Sequence, residues 1–228
     1  MGRFEEMTAQ IGAITGDERL DLSKKAVLIF CADNGIVAEG VSQTGQEVTF
    51  AVAKSMAWNA SSVGRMARFA GADTIPVDIG INSDLKIDGV MDKKIVHGTR
   101  DFLIEPAMSE EETLRAIETG IALAAECKDK GYRILATGEM GIGNTTTSSA
   151  VAAALLGCKS ALVVGRGAGL SDAGLARKQE VVESAIKKYK LYEADAFTVL
   201  RTVGGLDIAG LAGMCIGGAL YHIPIVLD

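Results

Sequence analysis

The chain has 228 residues, of which 48% are hydrophobic, and its formal net charge is −6. This length and apolar content are enough for a substantial buried core, so we expect one α/β domain with a smaller appendage. The acidic balance, with a pI of about 5.1, argues against nucleic acid or an anionic membrane surface as the main partner, because both select a concentrated basic face. The N-terminus carries acidic residues instead of a signal pattern, and the longest apolar run, 208–221, is too short to span a bilayer. These features predict a cytoplasmic protein.

Strand-like and helical segments alternate along the chain, which predicts a mainly parallel sheet with helices on both faces. The predicted strands are 25–32, 74–79, 132–136, 160–164 and 223–227, with one short strand at 94–96 inside a loop excursion over 83–106. The predicted helices are 47–70, 110–130, 145–157, a helix that begins near Asp172, and 208–220. The four cysteines and two histidines have no paired spacing, so the sequence signals neither a metal site nor a disulfide framework.

The segment TGEMGIGNTTTS, 137–148, joins a short buried strand to a helix of small residues through a glycine-rich turn. Gly141 and Gly143 let the backbone approach a ligand closely, and unpaired N–H groups in the first helical turn favour an anion such as phosphate. The alternative is that a polar residue after the turn merely caps a buried helix, and the glycines alone do not decide between the two. Glu139 favours a reactive site, because an acid beside a phosphate cradle repels the ligand unless it faces a sugar hydroxyl or a reacting base.

Two further glycine clusters precede helices later in the chain. The cluster at 165–169 precedes the helix near Asp172, and Lys178 lies one turn further along. On spacing alone, Lys178 is better explained as an exposed, solvated helix lysine. The pair Gly204-Gly205 precedes Asp207 and the last predicted helix.

Several segments at ordered spacings together resemble the nicotinate-nucleotide:dimethylbenzimidazole phosphoribosyltransferases, enzymes of cobalamin lower-ligand assembly. They are CADNGIVAEGVSQTGQEVT (31–49), AGADTIPVDIGI (70–81), GTRDF with EPAMS (98–109), TGEMGIGNTT (137–146), VGRGAGLSDAGLARK (164–178) and VGGLDIAGLAG (203–213). The resemblance implies a doubly wound, mainly parallel α/β fold with a smaller helical part, and a homodimer. It implies transfer of the 5-phosphoribosyl group from nicotinate mononucleotide to 5,6-dimethylbenzimidazole or a related azole, with no cofactor and no metal.

The resemblance also assigns site residues position by position. Glu139 is the predicted catalytic residue, because a carboxylate can stabilise the positive charge of an oxocarbenium-like transition state or hold the ribose hydroxyls. Gly141, Asn144 and Thr145 match the nucleotide-binding turn, to which the turn itself adds Gly143. The remaining predicted substrate-binding residues are Gly165, Arg166 and Gly167 of a second phosphate loop, the phosphate-side Lys178, and Thr44 and Gln46 of the segment that lines the benzimidazole pocket.

Two departures from the family pattern bear on activity. Asn34 stands where the family commonly has histidine, which removes a titratable side chain from the turn after the first strand. The glutamate credited as general base in the family has no counterpart before Asp228, so the domain 1–228 is expected to lack the family's C-terminal segment, and its smaller helical part to be incomplete. The chain is therefore an enzyme or the larger piece of one, or else a nucleotide-binding module without catalysis. A third interpretation, a dinucleotide-dependent oxidoreductase, requires a G-x-G-x-x-G turn after the first strand, and 33–35 does not supply it.

Overall fold

A computed structural model describes residues 2–227, so Met1 and Asp228, the predicted ends of the domain, lie outside the described residues. Within 2–227, five parallel strands form one sheet in the order β3-β2-β1-β4-β5. The strands are β1 (Lys25–Ala32), β2 (Ala72–Gly80), β3 (Met91–Asp92), β4 (Ile134–Met140) and β5 (Ile225–Val226). The predicted α/β class with a parallel sheet is therefore confirmed.

Helices cover both faces of this sheet. They are α1 (Phe4–Thr15), α2 (Glu47–Ala57), α3 (Ser62–Phe69), α4 (Glu110–Asp129), α5 (Asn144–Leu156), α6 (Asp172–Tyr189), α7 (Ala196–Val203) and α8 (Leu206–Leu220). Alternate side chains of β1 point to opposite faces. Leu28 and Phe30 therefore enter the larger core with α4 and α8, while Ile29 and Cys31 pack in a smaller core with α2. No helix in the described part of the chain is long and apolar enough to cross a membrane.

The predicted helix 47–70 is wrong, because the chain forms two helices there. Asn59 adopts a left-handed backbone conformation (φ 53°) just after α2, and such a conformation cannot continue a right-handed helix. Ser61 then caps α3, its Oγ accepting a hydrogen bond from the Gly64 N–H at 3.2 Å. The apolar spacing that suggested one long helix continues across both pieces, since each packs on the same face of the sheet.

Two strand predictions also need correction. Residues 160–164 form no strand; Ser160–Leu162 is one turn of 3-10 helix between α5 and α6, which pack on each other. Val164 packs in the core among these helices, whereas Leu162 is exposed, and the segment does not join the sheet. The short strand lies at Met91–Asp92 instead of 94–96, although the Ile95 N–H still donates to Ile79 O of β2 at 3.1 Å.

The helix predicted after Ser109 is confirmed as α4, with a reciprocal cap at its N-terminus. The Glu112 N–H donates to Ser109 Oγ at 3.1 Å, and the Ser109 N–H donates to Glu112 Oε2 at 2.6 Å. This capping box satisfies the backbone N–H groups of Ser109 and Glu112, which have no partner within the helix. The capping box fixes the start of α4. This helix packs along α8, which in turn contacts β1, β2 and β4 of the sheet.

Candidate active site

The candidate site lies at the carboxyl ends of β1 and β4, which are neighbours in the middle of the sheet. β4 extends to Met140, beyond the predicted strand, so Glu139 occupies a strand position in register with Phe30 of β1. Its side chain is exposed at the end of the strand. In doubly wound sheets, ligands bind outside the carboxyl ends of the strands, which is where the structure brings the predicted residues together.

The turn between β4 and α5 depends on its two glycines. A Cβ on Gly141 would lie 2.3 Å from Ala32 O, so only glycine lets the two strand ends approach this closely. Gly143 has φ 91° and precedes the first residue of α5, a backbone conformation that L side chains rarely adopt. The Ile142 N–H donates to Thr49 Oγ1 of α2 at 3.1 Å. The turn is therefore fixed from both sides.

The backbone N–H groups of this turn are used differently from the prediction. The Asn144 N–H donates to Gly141 O at 3.1 Å, and the Thr146 N–H donates to Gly143 O at 2.9 Å. These two groups close the turn and are not available to hold an anion. An anion at the start of α5 would then be attracted by the helix dipole, by neighbouring side chains and by the N–H groups that these two bonds do not use.

Glu139 belongs to a cluster with Asn144 and Asp207. The Asn144 side-chain amide donates both to Glu139 Oε2 and to Asp207 Oδ2, the latter at 3.2 Å. Asp207 lies in the first turn of α8 and is 1% exposed. Burial raises the pKa of Asp207 to about 6, and the negative charge of Glu139 acts in the same direction. Sequence reasoning did not assign Asp207 to the site, although an acid that follows a glycine pair at a helix start was a usable signal.

The second glycine loop meets the turn through Thr145 and Lys178. Lys178 Nζ donates to Thr145 Oγ1 at 2.7 Å and to Gly165 O at 3.2 Å. A Cβ on Gly167 would lie 3.0 Å from the same Thr145 oxygen. Lys178 has no exposed surface, so its interpretation as a solvated helix lysine is wrong, and burial lowers its pKa. The structure thus places a buried cation beneath the loop, beside the exposed Thr145.

Arg166 is bound at the start of α6. Its guanidinium donates to Leu170 O at 2.9 Å and pairs with the carboxylate of Asp172. Its predicted role in phosphate binding requires either that these contacts break or that the loop backbone does the binding.

The segment that follows β1 closes the site on a third side. Residues 41–44, which include Thr44, line a cavity of about 100 Å³ together with 141–145, 166–168 and Leu170. Gln46 lies apart from this lining. Its Nε2 donates to Asn34 O at 3.1 Å, and its Oε1 accepts from Asn82 Nδ2 at 2.9 Å.

Comparisons with known proteins identify relatives of this chain in sequence and in fold. A family model described as phosphoribosyltransferase matches residues 1–228. The chain is 40% identical over its whole length to the nicotinate-nucleotide–dimethylbenzimidazole phosphoribosyltransferase of Clostridium perfringens, and 43% identical to that of Clostridium acetobutylicum. The crystal structure of CobT from Thermus thermophilus superposes on all of the chain with a TM-score of 0.93 at 35% identity, and 68% of that structure is covered. The chain spans 63% and 65% of the length of the two clostridial relatives.

Proposed function

The chain belongs to the phosphoribosyltransferase family, and from this premise we propose that it transfers the 5-phosphoribosyl group of nicotinate mononucleotide to 5,6-dimethylbenzimidazole or a related azole. The bond from the anomeric carbon to the nicotinate nitrogen breaks as the bond to the azole nitrogen forms, and the products are α-ribazole phosphate, nicotinate and the proton that the azole N–H loses. One observation carries the proposal: a carboxylate at the end of β4, Glu139, adjoins a glycine turn and a helix start, with the buried cation of Lys178 nearby. Residues 1–228 act in it as one α/β domain.

The phosphate of the donor would bind between the start of α5 and the second glycine loop. The positive end of the α5 dipole attracts an anion there. Thr145 supplies an exposed hydroxyl, and Lys178 holds that hydroxyl by a 2.7 Å hydrogen bond while adding its charge from beneath. Gly167 keeps the space beside Thr145 Oγ1 free of a side chain, and nothing lies within 4 Å of the Cβ position of Gly165. Gly141 and Gly143 let the turn pack closely on the end of β1 and the segment after it.

Glu139 would then act on the sugar. Substitution at the anomeric carbon passes through a transition state with oxocarbenium character, whose positive charge a fixed carboxylate stabilises. The Asn144 amide, which donates to Glu139 Oε2, orients this carboxylate. The azole acceptor would enter along residues 41–46, where Thr44 lines the cavity. Gln46 lies outside the lining and would act there by holding the backbone of Asn34 through its 3.1 Å hydrogen bond.

The direct test is to incubate the chain with nicotinate mononucleotide and dimethylbenzimidazole and to follow both products by chromatography. We expect α-ribazole phosphate and nicotinate in equal amounts, and no nicotinate without the azole. Binding of the donor without product would contradict the proposed catalysis and support a nucleotide-binding module. Nicotinate riboside, which lacks the phosphate, is the matched control and should bind far more weakly.

We further propose that the enzyme is a homodimer and acts in the cytoplasm. The family resemblance implies the dimer, and light scattering of the purified chain tests it. A donor that carries a phosphate monoester does not cross a bilayer unaided, because moving its charges through hydrocarbon is costly. The reaction therefore belongs in the compartment that makes the donor.

Substitution of Lys178 by methionine tests the buried cation. Methionine keeps most of the side-chain volume, so we expect thermal stability to be retained or raised, since a buried ammonium is costly to desolvate. Donor affinity should fall about tenfold to a hundredfold, the contribution of a charge-assisted contact. Calorimetric titration with nicotinate mononucleotide measures the affinity. Lys187→Met at an exposed position of the same helix is the control, and equal affinities for the two variants would contradict the role of Lys178.

A further inference from the structure

Asp207 lies behind Glu139 and is tied to it through a shared amide. The Asn144 Nδ2 group donates to a carboxylate oxygen of each residue, at 3.2 Å for Asp207 Oδ2. Its two N–H bonds are therefore directed at two acids, one exposed at the end of β4 and one buried at the start of α8. This arrangement fixes which end of the Asn144 amide faces Glu139.

The other oxygen of Asp207 faces an acceptor that lacks a donor. Among residues 2–227, no group donates a hydrogen bond to the buried Asn34 Oδ1. Asp207 Oδ1 and Asn34 Oδ1 lie 2.4 Å and 2.7 Å from the position that a Cβ on Gly205 would occupy, so the two oxygens are neighbours. Asn34 Nδ2 donates to Ile142 O at 3.3 Å, so the amide presents its oxygen towards Asp207. Asp207 Oδ1 already accepts from the Ile208 N–H at 2.9 Å, and a proton on the same oxygen would supply the donor that the buried Asn34 Oδ1 lacks.

The charges around Asp207 favour such a proton. Glu139 faces it from β4, and its negative charge raises the pKa of Asp207. Cys31 faces it from β1, but burial raises the pKa of that thiol far above neutral, so it adds no charge. The charge of Asp78 on β2 acts on the Cys31 thiol. The buried residues in the first half of α4, which packs on α8, carry no charge. Cys127 is the buried residue of α4 that can titrate, and it lies near the C-terminal end of that helix. Burial raises the pKa of Asp207 to about 6, within reach of neutral solution.

We propose that Asp207 is a positioning residue whose carboxyl group takes up a proton, donates it to Asn34 Oδ1, and uses its second oxygen to hold Asn144 against Glu139. The inference rests on the proposed function, since it is Glu139 that meets the donor. The proton moves between Asp207 Oδ1 and solvent, and no other bond changes. Near neutral pH, Asp207 then gains and loses this proton.

Two variants at this position separate the proton from the packing. In Asp207→Asn the side-chain amide can donate to Asn34 Oδ1 and accept from Asn144, as the protonated acid would, while the Ile208 N–H loses its acceptor at every pH. We expect it to bind nicotinate mononucleotide as wild type does at pH 5, and to differ from wild type by about threefold or more at pH 8. Asp207→Leu has similar volume but neither contact, and should lose donor affinity at least tenfold at both pH values. Because the donor phosphate itself titrates near pH 6, only the difference between wild type and Asp207→Asn is interpreted.

Stability supplies a readout that needs no ligand. An aspartate whose pKa is raised in the folded state binds its proton more tightly there than in the unfolded chain. Wild-type stability should therefore fall as pH rises from the usual aspartate pKa of 3.8 through about 6. Asp207→Asn removes that titration, so its Tm should rise relative to that of wild type over this pH range and then level off.

Carbon-13 NMR of the aspartate carboxyl groups in the ligand-free protein completes the test. We expect one resonance with a midpoint near pH 6 that is missing in Asp207→Asn. Absence of this titration, or a Leu variant that binds the donor as wild type does, overturns the inference even when wild type binds and turns over. Failure of wild type to bind the donor overturns the proposed function and with it the positioning role, and the NMR titration then still shows whether Asp207 holds the proton.

Discussion

Replacement of Glu139 by glutamine is expected to lower kcat by about a hundredfold to a thousandfold, the usual loss when one charged group that faces a developing transition-state charge is removed. Glutamine has the same length, and its Oε1 still accepts from the Asn144 amide that now donates to Glu139. The charge facing the anomeric carbon is lost while the shape of the site is kept. Because Glu139 is exposed at the end of β4, Tm should change little. Steady-state kinetics with both substrates measures kcat and KM separately.

The kinetic pattern decides between two roles for Glu139. A fall in kcat with an unchanged KM for nicotinate mononucleotide assigns the carboxylate to the transition state. A raised KM with unchanged kcat instead assigns it to the ribose hydroxyls in the ground state. Glu118→Gln, at an exposed position on α4, is the matched control for loss of one acidic charge. Wild-type kcat and KM in Glu139→Gln would contradict both roles.

The parts of the fold that local sequence determines were predictable. The apolar run of β1 and the glycine turn at 141–143 have signals within a few residues, as does the capping box at Ser109, and each lies close to its predicted place. The helix α7 had such a signal as well, because Asp195 Oδ1 accepts from the Thr198 N–H three residues later at 2.9 Å. That helix was absent from the prediction because its Asp-x-x-Thr cap was not recognised.

The arrangement of the site depends on contacts that no local pattern contains. Asn144 and Asp207 are 63 residues apart in sequence, and Thr145 and Lys178 are 33 apart. Helical spacing placed Lys178 on a solvated face, whereas the second glycine loop folds over it and buries its ammonium. Burial of a polar side chain follows from tertiary packing, which overrides the preference that the residue type shows on average. The same reason explains why Asp207 was named as a helix start but not as part of the site.

Replacement of Gly143 by valine is expected to disrupt the turn between β4 and α5. The backbone at this position has φ 91°, and a Cβ would lie 2.7 Å from Val37 Cγ2. Valine therefore combines backbone strain of about 1–3 kcal/mol with overpacking of about 1–3 kcal/mol. We expect the free energy of unfolding to fall by about 2–6 kcal/mol, the sum of those two costs. Donor binding should weaken as well, because relief of the overlap with Val37 shifts the turn that lines the cavity.

Other glycines of the chain separate these two costs. Gly157, at the opposite end of α5, has φ 62° with nothing within 4 Å of its Cβ position, so Gly157→Val measures the backbone strain alone. Gly165 has neither a positive φ nor an atom within 4 Å of its Cβ position, so Gly165→Val should have the same free energy of unfolding as wild type.

A double mutant isolates the overpacking. Adding Val37→Ala to Gly143→Val should recover the overpacking part of the lost stability and leave the backbone strain, because the methyl group that a Cβ would meet is then gone. Equal denaturant midpoints for Gly143→Val and Gly157→Val would show that the close approach to Val37 costs nothing. If a folded Gly143→Val protein bound the donor with wild-type affinity, the donor phosphate would not bind at this turn.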